Sequence, residues 1–119
     1  MKLRWCGVLV KDLDESIKFY REVIGLPEPK RASAGPGTEI ALFDTGGAEL
    51  ELLQKYDVPN PDPGNAVCIA FEVASIEDAM AHVTEKGIEI ERGPIISPRA
   101  KFFFIRDPNG VEVELKQAD

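Results

Sequence analysis

Apolar residues in this chain switch between the period of a strand and the spacing of a helix, and the switch occurs twice. From Leu3 to Val10 the chain reads as a strand, with Val8 and Val10 on one face and Trp5 and Gly7 on the other. Leu13, Ile17, Tyr20 and Ile24 then recur at helical spacing, and Phe19 and Val23 widen the stripe. Asp12 stands at the N-cap with Glu15 three residues on, and Gly25 with Pro27 ends the helix. Pro29 to Ser33 is a weak edge-strand candidate, Ala34-Gly35-Pro36-Gly37 a turn, and Glu39 to Phe43 a better strand. Thr45-Gly46-Gly47 makes a tight hairpin into Ala48 to Leu53. The expected order is β-α-β-β-β.

The same order follows after a break. Residues 54–65 include Val58-Pro59-Asn60-Pro61-Asp62-Pro63-Gly64, a linker composition. Ala66 to Val73 reads as a strand with Val67, Ile69, Phe71 and Val73 on one face and Ala66, Cys68, Ala70 and Glu72 on the other. Ser75 caps a second helix, with Asp78 at the capping-box position, a stripe of Ile76, Ala79, Met80 and Val83, and Gly87 at its end. Ile88 to Glu91 reads as a short strand, Gly93 to Ala100 as a loop, Lys101 to Ile105 as a strand, and Asp107-Pro108-Asn109-Gly110 as a turn into Val111 to Lys116.

The two halves also share a nonapeptide pattern. Asp44-Thr-Gly-Gly-Ala-Glu-Leu-Glu-Leu52 matches Asp107-Pro-Asn-Gly-Val-Glu-Val-Glu-Leu115 at an offset of 107 − 44 = 63 positions, about half of 119. At that offset Trp5 falls on Cys68, and Leu13, Ile17 and Tyr20 fall on Ile76, Met80 and Val83. The expectation is a single α+β domain over 1–119, made of βαβββ modules 1–53 and 66–119 joined by linker 54–65.

Composition narrows the partners. Twenty-one acidic against fourteen basic residues give a net charge of −7, which opposes approach to phosphate backbones and anionic membranes, so no nucleic acid and no membrane is expected. Neither a signal-peptide core nor an apolar run of spanning length is present, so the protein is expected to be soluble and cytoplasmic. Two cysteines, Cys6 and Cys68, are too few for a disulfide framework and are expected as thiols.

The candidate chemistry lies in the repeated hairpin. Glu49 and Glu51 share one strand face against Leu50 and Leu52, and Glu112 and Glu114 share one against Val111, Val113 and Leu115. The apolar side must receive a helix, which leaves the glutamates on the open side with Trp5 and Cys68. Such carboxylates form either a solvated face or a site for metal binding or proton transfer, and periodicity alone leaves both readings open. His82, the only histidine, lies off the apolar stripe of its helix and is read as a solvent-side residue. Cys68 reads as a small hydrophobe, with no histidine to activate it. Arg99 and Lys101, near the 94–98 loop, are candidates for attracting an anionic ligand.

The run Val8-x-Val10-x-Asp12-Leu13-x-x-Ser16-x-x-Phe19-Tyr20, followed by Gly25-Leu26, resembles the opening of the vicinal oxygen chelate superfamily, which includes glyoxalase I, bleomycin-resistance proteins and extradiol dioxygenases. The ending Phe104-Ile105-x-Asp107-Pro108-x-Gly110-x-x-x-Glu114-Leu115 is similar to that family's closing strand pair. The resemblance covers nearly the whole chain and implies the glyoxalase/bleomycin-resistance fold, a cup-shaped mixed sheet with helices outside. It also implies a homodimer and a divalent metal such as zinc, nickel or cobalt, held by one residue from the first and last strand of each module. Those positions here are Trp5, Glu51, Cys68 and Glu114. Histidines are expected at the first-strand positions, and an indole N–H only donates, so Glu51, Cys68 and Glu114 are the remaining metal candidates and the donor set counts against a metal.

Several functions stay in competition. A lactoylglutathione-lyase-like lyase or isomerase would use Glu51 and Glu114 as catalytic groups. A sequestering protein of the bleomycin-resistance type would hold a small molecule against Trp5, Cys68 and Arg99 in an acidic cup. A third possibility is an enzyme whose proton chemistry needs no metal. Extradiol cleavage is disfavoured because its iron site needs two histidines.

Overall fold

The computed structural model describes residues 1–119, which divide into two compact units, Met1–Pro63 and Gly64–Asp119. The division falls inside the expected linker. Each unit has the same plan: a four-stranded mixed sheet and one helical segment against one of its faces.

In the first unit the strands are β1 (Trp5–Leu9), β2 (Lys30–Ser33), β3 (Thr38–Phe43) and β4 (Glu49–Lys55), in the spatial order β1-β4-β3-β2. β1 runs parallel to β4, and the remaining pairs are antiparallel. Helix α1 (Leu13–Phe19) starts at Asp12, whose extended backbone lets its carboxylate accept the Glu15 N–H at 3.0 Å. From Tyr20 to Ile24 the helix widens into a π-helical turn, which the sequence pattern did not mark, and Gly25 closes it at φ 91°. Phe19, Tyr20 and Val23 are all buried, and Tyr20 faces Phe43 with ring centroids 6.2 Å apart. Val8, Ala41, Phe43, Leu50 and Leu52 line the covered face of the sheet.

In the second unit β5 (Cys68–Val73), β6 (Arg92–Ile96), β7 (Lys101–Arg106) and β8 (Glu112–Gln117) take the order β5-β8-β7-β6, with β5 parallel to β8. Helix α2 (Ile76–Glu85) is capped by Ser75, whose hydroxyl accepts the Asp78 N–H at 3.2 Å. Ile76, Val83, Phe103, Ile105, Val113 and Leu115 form this unit's core.

Two expectations are corrected. The strand placed at Ile88 to Glu91 forms instead at Arg92–Ile96, within the expected loop. An outer strand tolerates Pro94, which has no N–H to donate, because its outer edge has no partner strand. Gly93 carries the irregularity in pairing between Arg92 and Ile95: its φ is 104°, and a Cβ there would lie 3.0 Å from Phe103 Cβ. β4 also runs to Lys55, so Gln54 belongs to the sheet and not to the linker. Its side chain accepts the Leu13 N–H at 2.7 Å, fastening the start of α1 to the end of β4.

Candidate active site

Parallel pairing of the first and last strand in each unit brings the candidate residues together. In the first unit Trp5 lies opposite Glu49 and Gly7 opposite Glu51. Both glutamates are half-buried, on the face opposite the fully packed Leu50 and Leu52. A Cβ at Gly7 would lie 3.4 Å from Glu51 Oε1, which places the carboxylate directly over the Gly7 backbone. Trp5 keeps 51% of its surface exposed, and Arg4 Nη1 approaches Glu49 Oε1 at 3.7 Å.

The second unit brings Cys68, Glu112 and Glu114 together in the same way, with Cys68 opposite Glu112 and Ala70 opposite Glu114. The Cys68 thiol is pushed above its ordinary value, first by loss of solvent around the thiolate and then by Glu112 and Glu114. It is therefore a protonated thiol at neutral pH. Glu112 meets two guanidinium groups, Arg92 and Arg106, each at 3.5 Å.

Arg106 has closer partners than Glu112. It pairs with both oxygens of Glu91 and donates to the Gly110 carbonyl at 2.9 Å. The turn below it is held by Asp107 Oδ1, which accepts the Asn109 N–H at 2.8 Å and the Val111 N–H at 2.9 Å, and this fixes where β8 begins. Arg92 behaves differently. Its guanidinium carbon sits 4.0 Å from the centroid of the Phe104 ring, which itself meets Phe102 edge-on at 5.7 Å.

Strand register reveals a row that the sequence reading missed. In the second unit Arg92, Phe104, Glu114 and Ala70 lie side by side across β6, β7, β8 and β5. In the first unit Lys30, Leu42, Glu51 and Gly7 do the same across β2, β3, β4 and β1. Each row runs cation, apolar residue, glutamate, small residue. Misplacing β6 hid Arg92, and the 63-position offset carries Lys30 to Gly93, one residue away from it. Arg99 and Lys101 line a hollow of about 220 Å³ with Ser97, Gln117 and Asp119 at the far end of β8, and Glu114 does not border it. His82 is exposed on α2.

The model of the Glyoxalase/Bleomycin resistance protein/Dioxygenase superfamily matches residues 2–115. The chain belongs to this superfamily. It is 32% identical to a lactoylglutathione lyase of Salmonella typhimurium, covering 99% of this chain and 93% of the relative, and 30% identical to one of Neisseria meningitidis, covering 98% and 91%. Among solved structures it overlays glyoxalase I of Zea mays with a TM-score of 0.85 at 25% identity, covering 98% of this chain and 44% of the other. The trypanothione-dependent glyoxalase I of Leishmania major gives 0.83 at 23% identity, covering 98% and 86%, a likeness of fold.

The superfamily's metal was tested against the donors this chain presents. Trp5 has an indole N–H and no lone pair to give. Cys68 could ligate only as a thiolate, so the four positions offer at most two carboxylates and one thiolate, with no imidazole. In neither unit do three or more histidine, cysteine, aspartate or glutamate side chains come together in a way that could hold an ion. The residues at the four positions do not fit the superfamily's metal.

Proposed function

We propose that this protein is a lactoylglutathione-lyase-like isomerase that moves a proton between adjacent carbons of a small carbonyl compound, with a strand glutamate as the base and no resident metal. The observation that carries this reading is the survival of both family glutamates, Glu51 and Glu114, at equivalent registers while Trp5 and Cys68 stand where the metal-binding histidines are expected. Similarity to lactoylglutathione lyases along nearly the whole chain supports the reaction class.

The chemistry asks little of the protein beyond a base and a stabilised anion. A glutamate carboxylate takes the proton from the carbon beside a carbonyl, and the electron pair moves onto the carbonyl oxygen to give an enediolate. Return of the proton to the neighbouring carbon, with the remaining hydroxyl proton passing to the other oxygen, converts the hemithioacetal of methylglyoxal and glutathione into its isomer, a lactoyl thioester. Glu51 and Glu114 hold equivalent positions, so separate Glu51→Gln and Glu114→Gln variants identify the base.

The test is thioester formation from methylglyoxal and glutathione. Turnover by the protein, lost in one glutamine variant, supports the proposal. Turnover only with added nickel, zinc or cobalt overturns the metal-free base, and if the protein forms no thioester even then, the isomerase proposal fails. Sequestration of a drug-like molecule would then take its place, tested by thermal stabilisation with cationic antibiotics. No helix is long and apolar enough to cross a membrane. We place the protein in the cytoplasm as a homodimer, and the exposed apolar side chains of Trp5 and Leu9 on one sheet face support self-association.

A further inference from the structure

An enediolate needs a positive charge beside it, and in this superfamily that is a task for the metal whose ligand set is incomplete here. We propose that Arg92 supplies the charge: it is the oxyanion-binding group of the second unit's site and acts beside Glu114. The assignment rests on the isomerase reading above.

Three observations carry it. The first is register. Phe104 is the direct cross-strand neighbour of both Arg92 and Glu114, so a side chain crossing the Phe104 ring travels from β6 toward the glutamates of β8. The second is the observed path. The guanidinium lies 4.0 Å from the ring centroid, and its Nη2 comes to 3.5 Å from Glu112 Oε1 on β8. The aromatic ring thus acts as a rest that holds a long, flexible side chain over the sheet, and ring and cation attract each other electrostatically.

The third observation is spare capacity. A guanidinium has five N–H donors in a planar fork, and Arg92 spends one on Glu112 at the outer limit of a hydrogen bond. Its side chain stays 57% exposed. The other cations on this face are committed: Arg106 to Glu91 and the Gly110 carbonyl, and Lys116 to Asp119 and the Gln117 carbonyl. Arg92 is therefore the cation that lies over the Phe104 ring with donors left for a substrate oxygen. When Glu114 removes the proton, the electron pair arrives on the carbonyl oxygen, and the Arg92 N–H groups hold that oxygen as its negative charge develops. The charge is discharged when Glu114 returns the proton to the carbon that bears this oxygen and the neighbouring hydroxyl passes its own proton to the oxygen, its carbon becoming the thioester carbonyl, so no co-reactant is needed.

The competing role for Arg92 is purely structural, a stacked ion pair that steadies an outer strand. Chemical rescue separates the two. In Arg92→Met, kcat for the methylglyoxal–glutathione hemithioacetal should fall by about 100-fold, in the range found when an oxyanion donor is lost, with a much smaller change in KM. Arg92→Lys should keep part of the activity, since the charge remains without the fork. Guanidinium at millimolar concentration, below denaturing levels, should restore part of the Arg92→Met activity and leave Arg92→Lys little changed. Unaltered kcat in Arg92→Met, or a loss that guanidinium does not relieve, overturns the assignment. Absence of turnover in the unsubstituted protein overturns the isomerase reading itself, and the Arg92 role falls with it.

Discussion

Gln54 and Gln117 perform the same task 63 positions apart. Gln54 Oε1 accepts the Leu13 N–H at 2.7 Å, and Gln117 Oε1 accepts the Ile76 N–H at 3.0 Å, each three residues beyond the candidate glutamate of its strand, Glu51 or Glu114. A helix leaves its first N–H groups without partners inside the helix, and each glutamine satisfies one while fixing the helix to the strand that carries Glu51 or Glu114. Replacing either glutamine by alanine should destabilise the protein by about 1 kcal/mol, as loss of an N-terminal cap does. Urea unfolding measures this, and midpoints unchanged in both variants would refute the fastening role.

The ion pair between Glu91 and Arg106 gives a pH signature. Hydrogen bonding to Arg106 is the first cause holding the Glu91 carboxyl below its ordinary value of 4.5, against some opposing desolvation. A carboxyl depressed on folding contributes stability above its unfolded value, and that contribution disappears as the pH falls through the folded value. Glu91→Gln should therefore be less stable than the unsubstituted protein at neutral pH, and the difference should shrink once the pH drops below about 4.5. Thermal unfolding of both proteins across that range reads the effect. A gap that stays constant with pH would show that the pair contributes nothing through this carboxyl.

Gly93 should resist substitution. Its φ of 104° disfavours any side chain, and an added Cβ would meet the Phe103 Cβ at 3.0 Å and the Phe102 carbonyl oxygen at 3.2 Å. Gly93→Ala is expected to cost more than about 1–2 kcal/mol, the strain of a left-handed backbone alone. Because β6 carries Arg92, the same change should reduce turnover as well as stability. A Gly93→Ala protein with unchanged unfolding midpoint and activity would contradict this placement of β6.

Much of the fold was legible because its signals are local. Asp12 and Ser75 mark helix starts through side-chain acceptors, and Gly25 and Gly87 mark the ends through positive φ. Alternation places Leu50, Leu52, Val113 and Leu115 in the cores, and the nonapeptide pairs the modules. The outer strand β6 was not legible, since Gly93 and Pro94 read as a loop and only pairing with β7 makes them a strand. The Arg92, Phe104, Glu114 row was lost for the same reason: side chains become neighbours through register, and register is a property of the assembled sheet. The two glutamine fastenings span 41 residues each and show in the sequence only when the 63-position offset is extended to Gln54 and Gln117.

The central claim is that this chain moves a proton with a glutamate and without the metal of its superfamily. The direct test is thioester formation from methylglyoxal and glutathione by protein stripped with a chelator and shown by elemental analysis to be metal-free. The account predicts that turnover survives stripping, is not raised by added nickel, zinc or cobalt, and is lost in Glu114→Gln. Turnover that vanishes on stripping and returns with a divalent ion would contradict it.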